Sequence, residues 1–318
     1  LKTRDVAVTG SVAYDHIMIF PGQFKDHILP DKLHILNVSF LVDGLKRLRG
    51  GCAANIAYAC ALHDMKPRLV ASVGSDFGDY RTWLEERGVD TRSALVVDDL
   101  LTASCFITTD SQNNQITGFY PGAMARARDV SIRSLPGAKP ALVTISPNDP
   151  EAMKRYPREC RELGVPFLFD PGQNTIALDA RALEDGLKGA RAVVMNDYEC
   201  AMVSEKTGRS VADMLELAEA VIVTLGEKGS RIHARGKAPV EVPAAKPSKI
   251  VDPTGCGDAY RGGLVRGIVS GYDWQTCGLL GALTGTYCLE AMGTMGYSFT
   301  PEAFAARFEQ SFGRACPA

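Results

Sequence analysis

The sequence predicts an α/β sandwich built on a mostly parallel sheet, and three observations carry that prediction. Short β-branched runs alternate with helical patterns along most of the 318 residues, as repeated βαβ units do. The chain is 46% apolar and 23% charged, an ordinary globular composition of a length that suits one large domain with an appendage. Two segments, 12–48 and 98–124, break the alternation and read as a small second sheet.

The strand expectations, in order, are RLVASVG (68–74), ALVTIS (141–146), PFLFD (166–170), AVVMN (192–196) and AVIVTLG (220–226). Between them DYRTWLEERG, PEAMKRYPRECRELG, DYECAMVSEKTG and SVADMLELAE carry polar and apolar faces at helical spacing. Ligands of such sheets sit beyond the carboxyl ends of the strands, so the residues just after each strand are the ones to inspect. In the first irregular segment DHIMIF, a polar connector KDHILPDKLH and the apolar ILNVSFLV suggest two strands. In the second, TASCFITTD, a polar tip SQNN and QITGFY suggest a hairpin. Together they read either as a lid over a ligand crevice or as extra strands at the edge of the main sheet. The whole of 1–318 is expected to form one domain.

Several functions are disfavoured. A net charge of −2 gives no reason to expect a nucleic acid or an anionic membrane as partner. The nine cysteines form no C-x-x-C pair and the five histidines no metal spacing, which fits free thiols in a reducing cytoplasm better than a disulfide framework or a zinc site. No run approaches the length of a membrane span, and the first residues lack a signal-peptide pattern. There is no G-x-x-x-x-G-K-[ST], and GCGDAY (255–260) fails G-x-G-x-x-G because Tyr260 holds the last position. G-x-S-x-G is absent as well.

Two glycine-led helix starts remain. In VDPTGCGDAYRGGLVRGI (251–268) Gly255 and Gly257 are expected in a loop and Asp258 in the first helical turn. A helix start offers unpaired N–H groups and partial positive charge, suited to an anion; an aspartate there also serves as a plain cap. In RGGCAANIAYACALHDM (49–65) Gly50 and Gly51 precede a helix whose first turns carry Asn55. That asparagine reads as a partner for a hydroxyl-rich ligand or as a local hydrogen bond in a tight helix contact.

These two regions, GGCAANIAYACALHDMKPRLVASVGSDFGDY and DPTGCGDAYRGGL, resemble the two signatures of the PfkB, or ribokinase-like, family of sugar and nucleoside kinases. The early GSVAYD and the turn VTLGEKGS extend the resemblance over nearly the whole chain. HILPDKLHILNVSFLV, NNQITGFYPGAM, FDPGQ and DPTGCGDAYRGGL resemble its bacterial nucleoside-kinase and adenosine-kinase branch. The resemblance implies a three-layer α/β/α ribokinase-like sandwich with a β lid, and phosphoryl transfer from ATP. It implies that Gly255, Cys256 and Gly257 present N–H groups to the γ-phosphoryl and that Asp258 is the base. Asp15, with Gly50, Gly51 and Asn55, would hold ribose hydroxyls. Asn196 and Glu199 would belong to the Mg²⁺ environment through water, Asn196 near ATP as well. Thr224, Gly226 and Gly229 would contact ATP, and Asp252 and Thr254 resemble a loop that holds a monovalent cation such as K⁺. Phe119 and Tyr120, with Phe20 and Phe40, are either stacking partners of a base or the lid's own core.

The function expected is an ATP- and Mg²⁺-dependent kinase for the 5′-hydroxyl of adenosine or a set of nucleosides. A sugar kinase acting on ribose, fructose or a sugar phosphate is the alternative, and a nucleoside-binding protein without turnover a third. A monomer or a homodimer is expected.

Overall fold

The computed structural model describes residues 5–28, 30–35 and 37–317. Positions 1–4, 29, 36 and 318, which fall in the expected domain and its first lid segment, lie outside the described residues. The central sheet has eight strands. In spatial order they are Val240–Val242, Ser230–Ala234, Ala220–Thr224, Ala192–Asn196, Phe167–Phe169, Leu142–Ile145, Asp5–Thr9 and Lys66–Val70. Ser230–Ala234 runs antiparallel to both its neighbours, and the six strands from Ala220–Thr224 onward are parallel to one another.

The parallel strands have both faces buried. Val6, Val8, Leu142, Ala192, Val194 and Ile222 join a core under the helices Cys52–Leu62, Cys256–Ser270 and Trp274–Leu289. Ala7, Val143, Ile145, Val193 and Met195 join a second core under the helices Pro150–Leu163, Ala180–Leu187 and Asp197–Thr207. That division makes three layers, and each fully buried Val, Ile or Leu contributes about 1.5–3 kcal/mol relative to exposure.

The lid is a four-stranded sheet in the order Gly44–Gly50, Ala13–Ile19, Ala103–Thr109 and Gln115–Tyr120. The expected hairpin is present, with Asp110 closing its tip by accepting from the backbone N–H groups of Phe24, Gln112 and Asn114. The expected strand ILNVSFLV is not: residues 37–42 form no strand, and the lid edge is GLKRLRG (44–50) instead. Apolarity pointed to the wrong segment because an edge strand is better protected by charge. Lys46, Arg47 and Arg49 supply it, and the strand must end at Gly50 to enter the helix that starts at Cys52. A second difference lies in RLVASVG, where Ala71 separates Lys66–Val70 of the main sheet from Ser72–Gly74, which pairs with Leu95–Val97. Among the described residues no helix is long and apolar enough to cross a membrane, and all nine cysteines are free.

Candidate active site

Asp258 lies in the first turn of the helix Cys256–Ser270, with Gly255 as N-cap in the left-handed region at φ +81°. Gly257, expected in the loop, is inside that first turn. No cap side chain closes this helix start. The Gly255 hydrogen faces Thr294, whose Cβ would stand 2.8 Å from an added methyl group, so glycine is required for space as well as for φ. A methyl group at Gly257 would stand 2.8 Å from Nη1 of Arg261, which places a guanidinium directly beneath the turn.

The second glycine-led helix supplies the partners of the aspartate. Asn55 is almost fully buried and its Nδ2 donates to Asp258 Oδ2 at 2.8 Å. The Cys52 side chain lies beside the same carboxylate. Burial pushes the Asp258 carboxyl above the usual range; Arg261, Asn55 and Cys52 pull it back, and Glu199 adds to the rise. The aspartate is thus a stronger proton acceptor than its position at a helix start alone suggests. Arg261 does not reach toward solvent: it pairs inward with Asp170, Nη2 to Oδ1 and Nε to Oδ2 both at 2.6 Å. Burial pushes the Asp170 carboxyl up to about 7, against the pull of Arg261.

Gly50 and Gly51 join lid to body. A methyl group at Gly50 would meet the Asp15 carboxylate at 2.6 Å, and at Gly51, φ +96°, one would meet three backbone atoms of Ser11, Val12 and Ala13 at 2.6 Å each. Asp15 sits within the lid strand Ala13–Ile19, not at its end. Its carboxyl is pushed up to about 6 by burial and then by the nearby charge of Asp252. Across the lid, Asp15 pairs with Leu48 and Cys105, and Cys105 with Phe119, so all four lie on one face. Leu48 on that face comes within 3.4 Å of the Cβ position of Gly293 in the body, which identifies it as the underside. Tyr120, next along the strand, lies on the opposite face. Phe20 and Phe40 pack with Phe24 and His27 as a separate aromatic cluster.

Asn196 and Thr224 stand side by side at the carboxyl ends of adjacent strands. Asn196 and Glu199 form a capping box on the helix Asp197–Thr207, Glu199 N–H donating to Asn196 Oδ1 at 2.7 Å and Asn196 N–H to Glu199 Oε2 at 2.8 Å. Gly226 and Gly229 follow Thr224 in the turn to the antiparallel strand, and the Gly229 hydrogen faces the Val242 carbonyl. Asp252 clasps its own loop, accepting from the N–H groups of Thr254 and Gly293 at 2.9 Å each. Burial raises its carboxyl, but these donors hold it below the ordinary range. Among the described residues no three His, Cys, Asp or Glu side chains gather as a metal cage. Magnesium does not need one, since it keeps several waters and binds through one or two carboxylates plus substrate phosphates. Glu199 beside Asn196 fits that pattern.

Reading the sequence did not single out Ser11, Cys52 or Thr294, and gave Asp170 no role. FDPGQ carried a signal for Asp170 as an acidic residue just after a strand. Thr294 carried none, being a threonine in an irregular stretch.

Known proteins resemble this chain. The chain is 31% identical to the nucleoside kinase of Methanothermobacter thermautotrophicus over 296 residues, 92% of each chain. It superposes on the structure of Burkholderia thailandensis nucleoside kinase in complex with inosine with a TM-score of 0.88 and 37% identity, covering 98% of this chain and 100% of that one. The structure of the same Burkholderia enzyme in complex with ADP-inosine gives 0.86 and 38%, covering 98% of both. The pfkB family carbohydrate kinase profile matches residues 8–301, and with a glycine-led helix start, an acidic residue in its first turn and a β lid above it, the chain belongs to the pfkB family of carbohydrate kinases.

Proposed function

We infer that this chain is an ATP-dependent ribonucleoside kinase that phosphorylates the ribose 5′-hydroxyl. The feature that supports this reading is a helix start without a cap side chain whose Asp258 bonds Asn55, on a helix entered from the lid through Gly50 and Gly51, with Gly50 against Asp15 and Phe119 on the lid face of Asp15. Asp258 takes the proton of the 5′-hydroxyl as its oxygen bonds to the γ-phosphorus and the bond to the β-phosphate oxygen breaks, releasing ADP. The N–H groups of Gly255, Cys256 and Gly257, with Arg261 beneath them, stabilise charge on the transferring group. Asp15 accepts from the ribose hydroxyls and Phe119 offers a ring to the base. Asn55 acts mainly through Asp258.

Thr224, Gly226 and Gly229 border the nucleotide side, beside Asn196. Mg²⁺ would offset charge on the ATP phosphates when bound there, held by Glu199 and Asn196 through water. Asp252 spends both oxygens on backbone donors, so a monovalent cation would rely on the remaining lone pairs of that loop. The nine free thiols favour a reducing compartment.

The lid favours a nucleoside over a sugar phosphate. On the underside, the positions alternating with Asp15 include Ile17, Ile19, Leu48, Ile107 and Phe119, with Lys46 as the cation among them. Mass detection of products from ATP with adenosine, inosine, guanosine, cytidine, ribose, fructose and fructose 6-phosphate tests the reading. Nucleoside 5′-monophosphates are expected; phosphorylation of free sugars alone overturns the nucleoside assignment and leaves the kinase.

A further inference from the structure

Thr294 lies in the loop that follows the helix Trp274–Leu289 and its side chain is buried. The loop is anchored next to it, where Gly293 N–H donates to Asp252 at 2.9 Å. The threonine hydroxyl stands 2.8 Å from Asn55 Oδ1 and 3.2 Å from the Arg49 carbonyl. Its Cβ and methyl group pack against Gly255.

An amide beside a carboxylate has one favourable orientation. Its NH₂ must face Asp258, because a carbonyl turned that way would set two acceptors against each other. The Asn55 carbonyl then points away and, being buried, needs a donor. The Thr294 hydroxyl has a single proton to give and stands closer to Asn55 than to Arg49. We propose that Thr294 is a positioning residue for phosphoryl transfer, fixing the amide of Asn55 so that Asn55 aims the carboxylate of Asp258 at the acceptor hydroxyl. This rests on Asp258 being the base. The relay joins three segments of the chain, since Thr294 is separated by 239 positions from Asn55, and Asn55 by 203 from Asp258.

Thr294→Val is the direct test, because valine keeps the carbon atoms that touch Gly255 and removes the hydroxyl. It leaves the Asn55 carbonyl without its donor and frees the amide to turn. Misorientation of a reacting group costs up to roughly 10²-fold in rate, so kcat is expected to fall about tenfold to hundredfold while KM for ATP stays near wild type. The acid limb of the pH–kcat profile moves to higher pH, because a loosened Asn55 no longer stabilises the ionised carboxylate. The other groups facing Asp258 are Arg261 of its own helix, Cys52 of the helix Cys52–Leu62 and Glu199 of the helix Asp197–Thr207. Asp170 stands behind Arg261, and all of these stay in place in the variant.

Thr294→Ser restores the hydroxyl and is expected to recover kcat to within about threefold of wild type. Should Thr294→Val fail to fold, Thr294→Ala is read in its place with Thr294→Ser as reference. Wild-type kcat and an unshifted pH profile in the hydroxyl-free variant overturn the proposal, as does a Thr294→Ser enzyme equally impaired, which would reduce the contact to packing. Asp258→Asn, assayed alongside, separates the two levels: if it retains turnover the base assignment fails, whatever Thr294 does.

Discussion

Two helices in this molecule begin after a glycine of positive φ, and their first turns touch where Asn55 meets Asp258. At the helix Cys52–Leu62 the start is closed by the protein itself: Ser11 Oγ accepts from Cys52 N–H at 3.0 Å and the Ser11 carbonyl from Ala53 N–H at 3.0 Å. At Cys256–Ser270 no cap side chain is present; Cys256 N–H donates to the Pro253 carbonyl at 3.3 Å, and a guanidinium lies beneath the turn. The same local sequence device therefore serves two ends. One start is a rivet between lid and body, and its side chains reach sideways to orient the other. The other start has no cap side chain, and its partial positive charge suits an anion.

The sharpest way to break this contrast is at the Cys256–Ser270 start. Asp258→Asn should lower kcat by about 10²–10⁴-fold, the usual range for a general base, while a nucleoside titration shows binding largely retained. Comparable loss of binding would make Asp258 a ligand-holding residue and not a base. Over the closed start, Asp15 tests whether the lid contributes recognition. Asp15→Ala removes a charged acceptor, so KM for the nucleoside should rise about tenfold to hundredfold with KM for ATP unchanged. Because the Asp15 carboxyl titrates at about 6, wild-type nucleoside KM should climb as pH falls through that value, where protonation removes the acceptor. The Asp15→Ala enzyme should show no such climb. Equal pH dependence in both would assign the titration elsewhere. The smallest contrast compares one substitution at both starts. Gly51→Ala and Gly255→Ala each place a side chain in the left-handed region, a cost of about 1–3 kcal/mol seen in thermal unfolding. At Gly51 the methyl group also meets backbone, so its Tm should fall further. At Gly255 it meets the side chain of Thr294, so kcat should fall more than Tm. Identical Tm and kcat losses would erase the distinction between rivet and site.

The sequence made the parallel body legible because its strands are short, apolar and separated by helices with polar faces. It made the two helix starts legible because paired glycines just ahead of an apolar helical run are rare without a local reason. It misplaced the lid edge, since ILNVSFLV is apolar whereas GLKRLRG carries the pairing. The contacts of Ser11, Cys52 and Thr294 were invisible, because they reach residues far along the chain. Asn55 shows both limits at once: one reading of it, a hydrogen bond in a tight helix contact, matches the kind of bond found, but its partner, Asp258 on the other glycine-led helix, was not legible.

The lid pairing has a consequence for how the molecule matures. Ala13–Ile19 pairs in parallel with Ala103–Thr109, a register that offsets partners such as Ala13 and Ala103 by ninety positions, and the relay through Thr294 closes a far longer loop. Contacts so distant in sequence form late, after local helices and the nearest strands. A chain emerging from synthesis would hold Asp15 and Asn55 early yet lack the surroundings that give either a task until its last helices have docked. The residues of the site therefore meet only once segments far apart in the chain have packed together.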